Sequence, residues 1–348
     1  MEQSHVTIWD HVRLLHSSLS QSLVGRKILY LDTHCWVGMC DIQLGRKADP
    51  RCLQLLELLT PLKADGRILC VASSSLMAEI DSQSDDSTRQ STAELVSAFS
   101  DNVCLLAMHP AMRLEFKEHI TKCLLREFAP NMKPQYFTRP AWIFGATFPV
   151  PNIENVLEAE KLLIAKAGAD WAWGQTFSEV LRKQLGLEAK RIAAETAEIL
   201  KGVGQEWLKQ GLTFDQMRVQ IQSMYTQQLL DDLPAILQEL DNEYPHLVGE
   251  LRDPTGLAFE KSVKLMPHVQ VLASIFAELI VNKVNTINAN DVIDAEHATM
   301  ALPLCDALFL DRGAAHRLIA RSDAIGVRHG KTVIGNMDDA ILYLRGLI

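Results

Sequence analysis

Two aspartates follow short apolar runs that are typical of buried strands. Asp32 ends the run that begins at Lys27, and Asp311 ends the run that begins at Asp306. A continuous apolar run of this length suits a strand of a parallel sheet that is buried on both faces. Ligands of such sheets bind beyond the carboxyl ends of the strands, so both carboxylates are expected to face one crevice.

Further ionisable groups are predicted on the helices beside these strands. Glu79 lies about two turns into the helix after the second strand, if that helix begins near Ser73. Asp291 and Asp294 lie one turn apart at the start of a later helix, so they share a face. His297 follows one turn after Asp294, where it is expected to orient a carboxylate or pack in the core rather than bind metal.

Carboxylates brought together in this way repel one another, because each negative charge raises the pKa of its neighbours. The cluster must therefore hold protons or bind a cation. Oxygen ligands with few nitrogens favour Mg²⁺ or Mn²⁺. One or two such ions can activate water and stabilise the charge on a cleaved phosphodiester. That chemistry requires only carboxylates, metal and water.

Each acid also has a structural explanation, which the sequence leaves open. Asp32 can cap the helix that follows it, and Glu79 can be a solvated helix residue. Asp291 and Asp294 carry charges that stabilise a helix N-terminus whatever else they do. Asp306 begins its strand, and five residues at about 3.3 Å each place it about 16 Å from the far end of that strand. Asp306 therefore ranks below the other acids.

Composition and charge limit the class of protein. The chain has 348 residues, of which 48% are apolar and 22% charged, and this predicts a folded core. A net charge of −9 argues against a broad, non-specific nucleic-acid-binding surface but allows a local basic path. The seven cysteines include no CxxC pair, which predicts buried, reduced thiols. No apolar run reaches the roughly 18–20 residues that span a bilayer, so a soluble, cytoplasmic protein without membrane contact is expected.

Strand and helix patterns alternate at both ends of the chain and predict a three-layer α/β/α fold with a parallel sheet. The third strand is predicted over 102–108, where Pro110 ends it. Helical spacing fills the middle of the chain. The predicted organisation is an N-terminal helix over 1–24, an α/β domain over 25–120 and 286–348, and a large all-α insertion over 121–285.

The order of these features resembles the PIN domain, the fold of many ribonuclease toxins and RNA-processing nucleases. The resemblance covers around half of the chain, within 25–120 and 286–348. Its motifs are short, but their order and spacing near the C-terminus are characteristic. The residues that carry it are 28–32, 74–79, 290–298, 302–306 and 310–312.

The resemblance implies a parallel sheet of PIN type and a Mg²⁺- or Mn²⁺-dependent endoribonuclease. The family's four acids, which bind the metal and carry out catalysis, correspond to Asp32, Glu79, Asp294 and Asp311. Asp291 competes for the third position, and Asp306 and His297 are secondary candidates. The family often has a hydroxyl before its last acid, where this chain has Leu310. The long helical region is a second departure from the compact form of the family.

Positive charge is concentrated locally. Arg312, Arg317 and Arg321 follow the last acid and are predicted to contact substrate phosphates. Basic residues within 182–191 are another candidate contact, and a solvated surface explains either set equally well. Three tryptophans suit base stacking as well as core packing, which is the expected role: Trp142, Trp171 and Trp173. RNA is the expected partner, with DNA as the alternative.

Two other functions stay open at this stage. A catalytically degenerate PIN-like scaffold would use the helical insertion to bind partner proteins, and the acidic net charge and Leu310 are consistent with it. A phosphatase of the haloacid dehalogenase type also begins with an apolar strand that ends in aspartate. Those enzymes usually place a second aspartate two residues later, where this chain has His34.

Overall fold

A small parallel sheet lies at the centre of the protein. The computed structural model describes residues 7–125, 131–146, 157–182, 184–243, 266–319 and 325–348. Its strands are β1 (Lys27–Leu31), β2 (Ile68–Val71), β3 (Cys104–Leu105), β4 (Phe137–Thr138), β5 (Ala307–Phe309) and β6 (Thr332–Ile334). Four of them form a parallel sheet in the order β2-β1-β5-β6, and β3 pairs antiparallel with β4.

Consecutive residues of β1 point into opposite buried layers. Ile28 and Tyr30 lie in one cluster of buried side chains, whereas Leu29 and Leu31 lie in the other. The alternation follows from the two-residue period of a strand. Burial on both faces explains why the run is continuously apolar.

Helices cover both faces of the sheet. They are α1 (Ile8–Leu23), α2 (Thr33–Gln43), α3 (Pro50–Ala64), α4 (Ser74–Asp81), α5 (Asp86–Ser100), α6 (Met108–Leu125), α7 (Glu158–Gly174), α8 (Phe177–Leu181), α9 (Ala189–Lys209), α10 (Phe214–Asp231), α11 (Leu233–Glu243), α12 (Pro267–Lys283), α13 (Ala289–Ala301), α14 (Arg312–Ile319), α15 (Ile325–Arg328) and α16 (Met337–Arg345). One layer is built mainly by α2, α3, α5 and α16, and the other by α6, α9, α10, α12 and α13. An α/β architecture with a parallel sheet and a large helical region is confirmed.

The helices that carry predicted site residues begin at polar caps. Ser73 caps α4, and its hydroxyl accepts a hydrogen bond from the backbone N–H of Leu76 at 3.1 Å. Asn288 caps α13 in the same way, accepting from the N–H of Asn290 at 2.9 Å. Such caps satisfy N–H groups that have no partner within the helix. They set where Glu79 and the acids of α13 lie relative to the sheet.

The prediction of a third strand over 102–108 is wrong in its extent. This segment contains only β3, which also makes one parallel bridge between Cys104 and Ala72. α6 begins at Met108, and Pro110 lies in its first turn instead of ending a strand. A proline is accommodated there because the first N–H groups of a helix lack an intrahelical acceptor.

The helical middle region shares a hydrophobic core with the sheet. Ala197 of α9, Ile221 of α10 and Leu272 of α12 lie in the same buried cluster as Tyr30 of β1. β4 is the one strand in the described parts of 121–285. The helical region therefore completes one face of the fold, while the predicted domain boundaries stay a prediction.

Two of the three tryptophans singled out in the sequence, Trp142 and Trp173, and the described cysteines contribute to packing. Trp142 is 1% exposed, and its ring centroid lies 5.0 Å from that of Trp173. Trp171 is 70% exposed, so it stays available for stacking on a base, whereas Trp173 is partly buried and packs against the core. The cysteine side chains that the structure describes are buried and form no disulfide with one another.

A buried histidine anchors α1 beside these tryptophans. His16 is 7% exposed, and its Nδ1 donates to the backbone carbonyl of Phe137 at 2.9 Å. The edge of the ring packs against Trp173, with 4.9 Å between centroids. Burial lowers the pKa of His16 to about 4. The folded protein therefore keeps this imidazole neutral, and the carbonyl contact needs only the proton on Nδ1.

We predict that His16 makes the fold less stable in mild acid. The unfolded chain protonates His16 near pH 6.5 and the folded chain only near pH 4. Above pH 6.5, neutral His16 does not reduce the free energy of unfolding. As the pH drops from 6.5 toward 4, this free energy falls, because the unfolded chain gains a proton that the folded chain does not. The full loss is on the order of 3 kcal/mol, at about 1.4 kcal/mol per pKa unit.

Chemical unfolding at about pH 7.5 and about pH 4.5 measures this dependence. The control is His16→Gln, which keeps a side-chain donor but cannot titrate in this range. The stability of wild type should fall more between the two pH values than that of the variant. An equal fall in both proteins would contradict the assignment.

Candidate metal centre

The predicted acids converge where the strand order of the sheet reverses. β1 lies between β2 and β5, and the chain continues from β1 toward β2 but from β5 toward β6. Connections that run to opposite sides open a crevice at the carboxyl ends of the two central strands. Asp32 follows β1 there, and its backbone N–H donates to the carbonyl of Phe309 at 2.9 Å.

Asp32 uses one carboxylate oxygen as a helix cap. Its Oδ1 accepts a hydrogen bond from the N–H of Thr33 at 2.7 Å, and its Oδ2 lies 3.0 Å from Nδ1 of His34. Burial opposes ionisation, but the hydrogen bond with His34 and the charge of His297 outweigh it and lower the pKa of Asp32. Since His34 is 49% exposed, it can turn away and free Oδ2 for a ligand. The capping role and a ligand role are therefore compatible.

Glu79 is a partly buried group rather than a solvated helix residue. Its side chain is 27% exposed. Oε2 accepts a hydrogen bond from the hydroxyl of Thr33, the residue that follows Asp32. The same oxygen lies 3.0 Å from Nε2 of His297. These contacts turn Glu79 of α4 toward the end of β1.

His297 lies at the buried centre of the site. Its side chain is 2% exposed, its Nε2 faces Glu79, and its Nδ1 forms a hydrogen bond with the hydroxyl of Tyr30. Burial opposes protonation of the ring. The hydrogen bond with Glu79 and the negative charges of Glu79, Asp32 and Asp294 outweigh it and raise the pKa of His297. The imidazole therefore balances the carboxylates around it.

Three side chains come close enough to share a metal ion. One ligand atom each of Asp32, Glu79 and His297 lies within 4.8 Å of the other two. No second group of this kind occurs among the residues described above. Ligands on opposite sides of one Mg²⁺ are about 4.2 Å apart, so small side-chain rotations would close this group on an ion. Two of the four predicted acids are thus joined by His297, which the sequence ranks as secondary.

Asp294 and Asp311 lie beside this group without being part of it. Asp294 pairs with Arg317 at 2.7 Å, and Oδ1 of Asp311 accepts from the N–H of Ala314 at 2.6 Å, at the start of α14. Burial raises the pKa of Asp294 to about 6, and the negative charges of Asp311 and Asp32 add to the shift. Asp294 therefore senses the charges of two other predicted acids, Asp311 and Asp32.

The two secondary acids make structural contacts. Asp291 accepts from the backbone N–H of Asn288 at 3.1 Å and pairs with Nζ of Lys283 at 2.6 Å. Asp306 lies at the opposite end of the sheet, where it accepts from the N–H of Ile28 at 2.8 Å and pairs with Lys27 at 3.2 Å. The low rank of Asp306 is therefore consistent with its position, and its contacts hold β5 in register with β1.

The arginines that are predicted to contact phosphates differ in their exposure and in their ion pairs. Arg312 is exposed at the start of α14. Arg317 is 12% exposed and pairs with Asp294 and, at 3.7 Å, with Asp291. A phosphate that approached Arg317 would compete with these carboxylates. Arg321 lies outside the described residues.

Sequence reasoning missed the polar groups that orient His297 and Glu79. Tyr30 is fully buried in β1 on the face that α13 covers, and its hydroxyl bridges His297 and Ser73. Thr33 bonds Glu79. The available signal was a single hydroxyl-bearing residue within an otherwise apolar strand, on the face opposite to Leu29.

No family model, curated protein or solved structure matches the chain. The resemblance to the PIN domain therefore stays a prediction. No helix in the described part of the chain is both long and apolar enough to cross a membrane.

We predict that Asp306 stabilises the fold without serving the metal group. Asp306→Ala leaves the N–H of Ile28 without its acceptor, so the free energy of unfolding should fall by roughly 1–3 kcal/mol. Urea unfolding measures this loss, and calorimetric titration with Mn²⁺ should give the wild-type affinity. A fall in Mn²⁺ affinity as large as that of Asp32→Asn would contradict the separation of the two roles.

Proposed function

We propose that this protein is a divalent-metal-dependent phosphodiesterase, an endoribonuclease of PIN type that uses Mg²⁺ or Mn²⁺. The observation that carries the proposal is the convergence of Asp32, Glu79 and His297, with ligand atoms within 4.8 Å of one another. They lie in the crevice where a doubly wound sheet binds its ligands. The motif order that resembles the PIN family supports the PIN-type fold and the RNA substrate.

The donor set fits a divalent ion. Two carboxylates and one imidazole offer ligands that divalent cations accept, and these groups are partly or fully buried. Oδ1 of Asp32 already accepts the hydrogen bond from the N–H of Thr33, so Oδ2 is the oxygen that would bind the ion. Glu79 is held in place by Thr33. A bound ion would activate water and stabilise charge on the scissile phosphate.

The neighbouring acids have roles that follow from their charge. Asp294, with a pKa of about 6, can exchange a proton near neutral pH, as a base for water requires. Asp311 keeps the potential at this edge negative and so favours cations. Arg312, exposed one residue after Asp311, is placed to hold a phosphate without reading sequence.

Cleavage of a mixed-sequence RNA in Mn²⁺, in Mg²⁺ and in EDTA tests the proposal. Wild type should cleave with either metal, and EDTA should abolish cleavage. Asp32→Asn should fall to the EDTA background, because it removes a ligand charge but keeps the helix cap. Asp49→Asn is the matched control, since Asp49 caps α3 at the surface and its replacement also keeps a cap.

The control variant should cleave like wild type. Equal activity of wild type and Asp32→Asn would contradict the assignment of the site. A parallel assay with DNA of the same sequence decides between the two nucleic acids.

One observation favours a second function, a catalytically degenerate scaffold that binds partner proteins. The carboxylates at the site are paired with bases of the chain itself: Asp32 with His34, Glu79 with His297, and Asp294 with Arg317. The helical region also exposes apolar side chains that suit a partner, among them Leu163, Trp171 and Ile199. Absence of Mn²⁺ binding in calorimetry would favour the scaffold.

A further inference from the structure

We propose that His297 binds the metal ion directly through Nε2 and that this nitrogen makes the site selective for a first-row transition-metal ion over Mg²⁺; the inference rests on the proposed function. The ligand atoms that lie together come from two carboxylates and one imidazole. Asp294 and Asp311, which would complete an all-oxygen site, lie outside this group. An ion held by Asp32 and Glu79 therefore meets the imidazole before it meets a third carboxylate.

The two kinds of ion differ in how they accept nitrogen. Mg²⁺ demands a near-ideal octahedron and is held by carboxylates, phosphates and its own water. First-row transition-metal ions bind mixed nitrogen and oxygen sites, in an order in which Mn²⁺ is the weakest. An imidazole among only three protein ligands therefore disfavours Mg²⁺. Mn²⁺ is a stringent probe, because the other ions of the series should bind more tightly.

Tyr30 determines which ring nitrogen faces the ion. Its hydroxyl contacts Nδ1 of His297 and lies 2.7 Å from Oγ of Ser73. With the ring proton on Nδ1, His297 donates to the Tyr30 oxygen, and the Tyr30 hydroxyl donates onward to Ser73. An ion bound beside Glu79 would replace the Nε2 proton that the ring donates to Glu79 in this structure, and Nε2 would then offer its lone pair to the ion, as a ligand requires. Tyr30 is thus a positioning residue that acts through His297.

Packing holds the imidazole in this position. His297 is 1% exposed and Tyr30 is fully buried. The helix that carries His297, α13, packs against α9 and α12. The ring therefore cannot swing into solvent without opening the core. His34 differs, because this second imidazole beside Asp32 is half exposed.

Pulsed electron paramagnetic resonance of the full chain loaded with Mn²⁺ tests the coordination directly. The wild-type Mn²⁺ signal should carry nitrogen modulation. His297→Gln should lose the modulation while it still binds Mn²⁺ through oxygens, and His34→Gln should keep it. A wild-type signal without nitrogen modulation would overturn the inference, and this result does not depend on whether the variants fold. Modulation that is lost only in His34→Gln would also overturn it.

Calorimetric titration separates this inference from the proposed function. Wild type should bind Mn²⁺ more tightly than Mg²⁺, and His297→Gln should narrow that difference. Tyr30→Phe should weaken Mn²⁺ binding about 10- to 100-fold, as removal of a partner of a ligating histidine does. Equal affinity of wild type for the two ions would overturn the selectivity and leave a metal-dependent nuclease in place. No binding of either ion would overturn both.

Discussion

The pairing of β1 with β5 is the contact on which the candidate site depends. Leu29 lies opposite Ala307 in this parallel pair, so residues from the two ends of the chain share one register. Asp306 holds that register by accepting a hydrogen bond from the backbone of β1. Because the strands run parallel, the carboxylates that follow them emerge at the same edge. The helices beside this edge then bring Glu79 and His297 to it.

Charge balance is the second constraint on the site. Carboxylates that are taken out of water are costly unless they are paired, and this chain supplies a base for three that are partly buried. The pairs are Asp32 with His34, Glu79 with His297, and Asp294 with Arg317. The fold can therefore hold its acids together without an ion. An incoming cation has to displace a base, and half-exposed His34 is displaced more easily than buried Arg317.

The strand-end acids are predictable from the sequence because their signals are local. A short apolar run that ends in Asp32 indicates a buried strand and a crevice, and Ser73 indicates the start of the helix that carries Glu79. The role of His297 is not local. It depends on which face of β1 presents Tyr30 and on how α13 docks there, and one hydroxyl in an apolar run is a weak signal for both. The sequence predicts a longer third strand than the structure contains, because Pro110 fits a helix start as well as a strand end.

The central claim is that Asp32, Glu79 and His297 form one metal site at the junction of β1 and β5. Anomalous diffraction from a crystal soaked in Mn²⁺ tests this claim most directly, because it locates the ion without reference to activity. The account predicts an anomalous peak within coordination distance of Asp32, Glu79 and Nε2 of His297. A fully occupied peak elsewhere, or a soaked crystal with no peak among these three side chains, would contradict it.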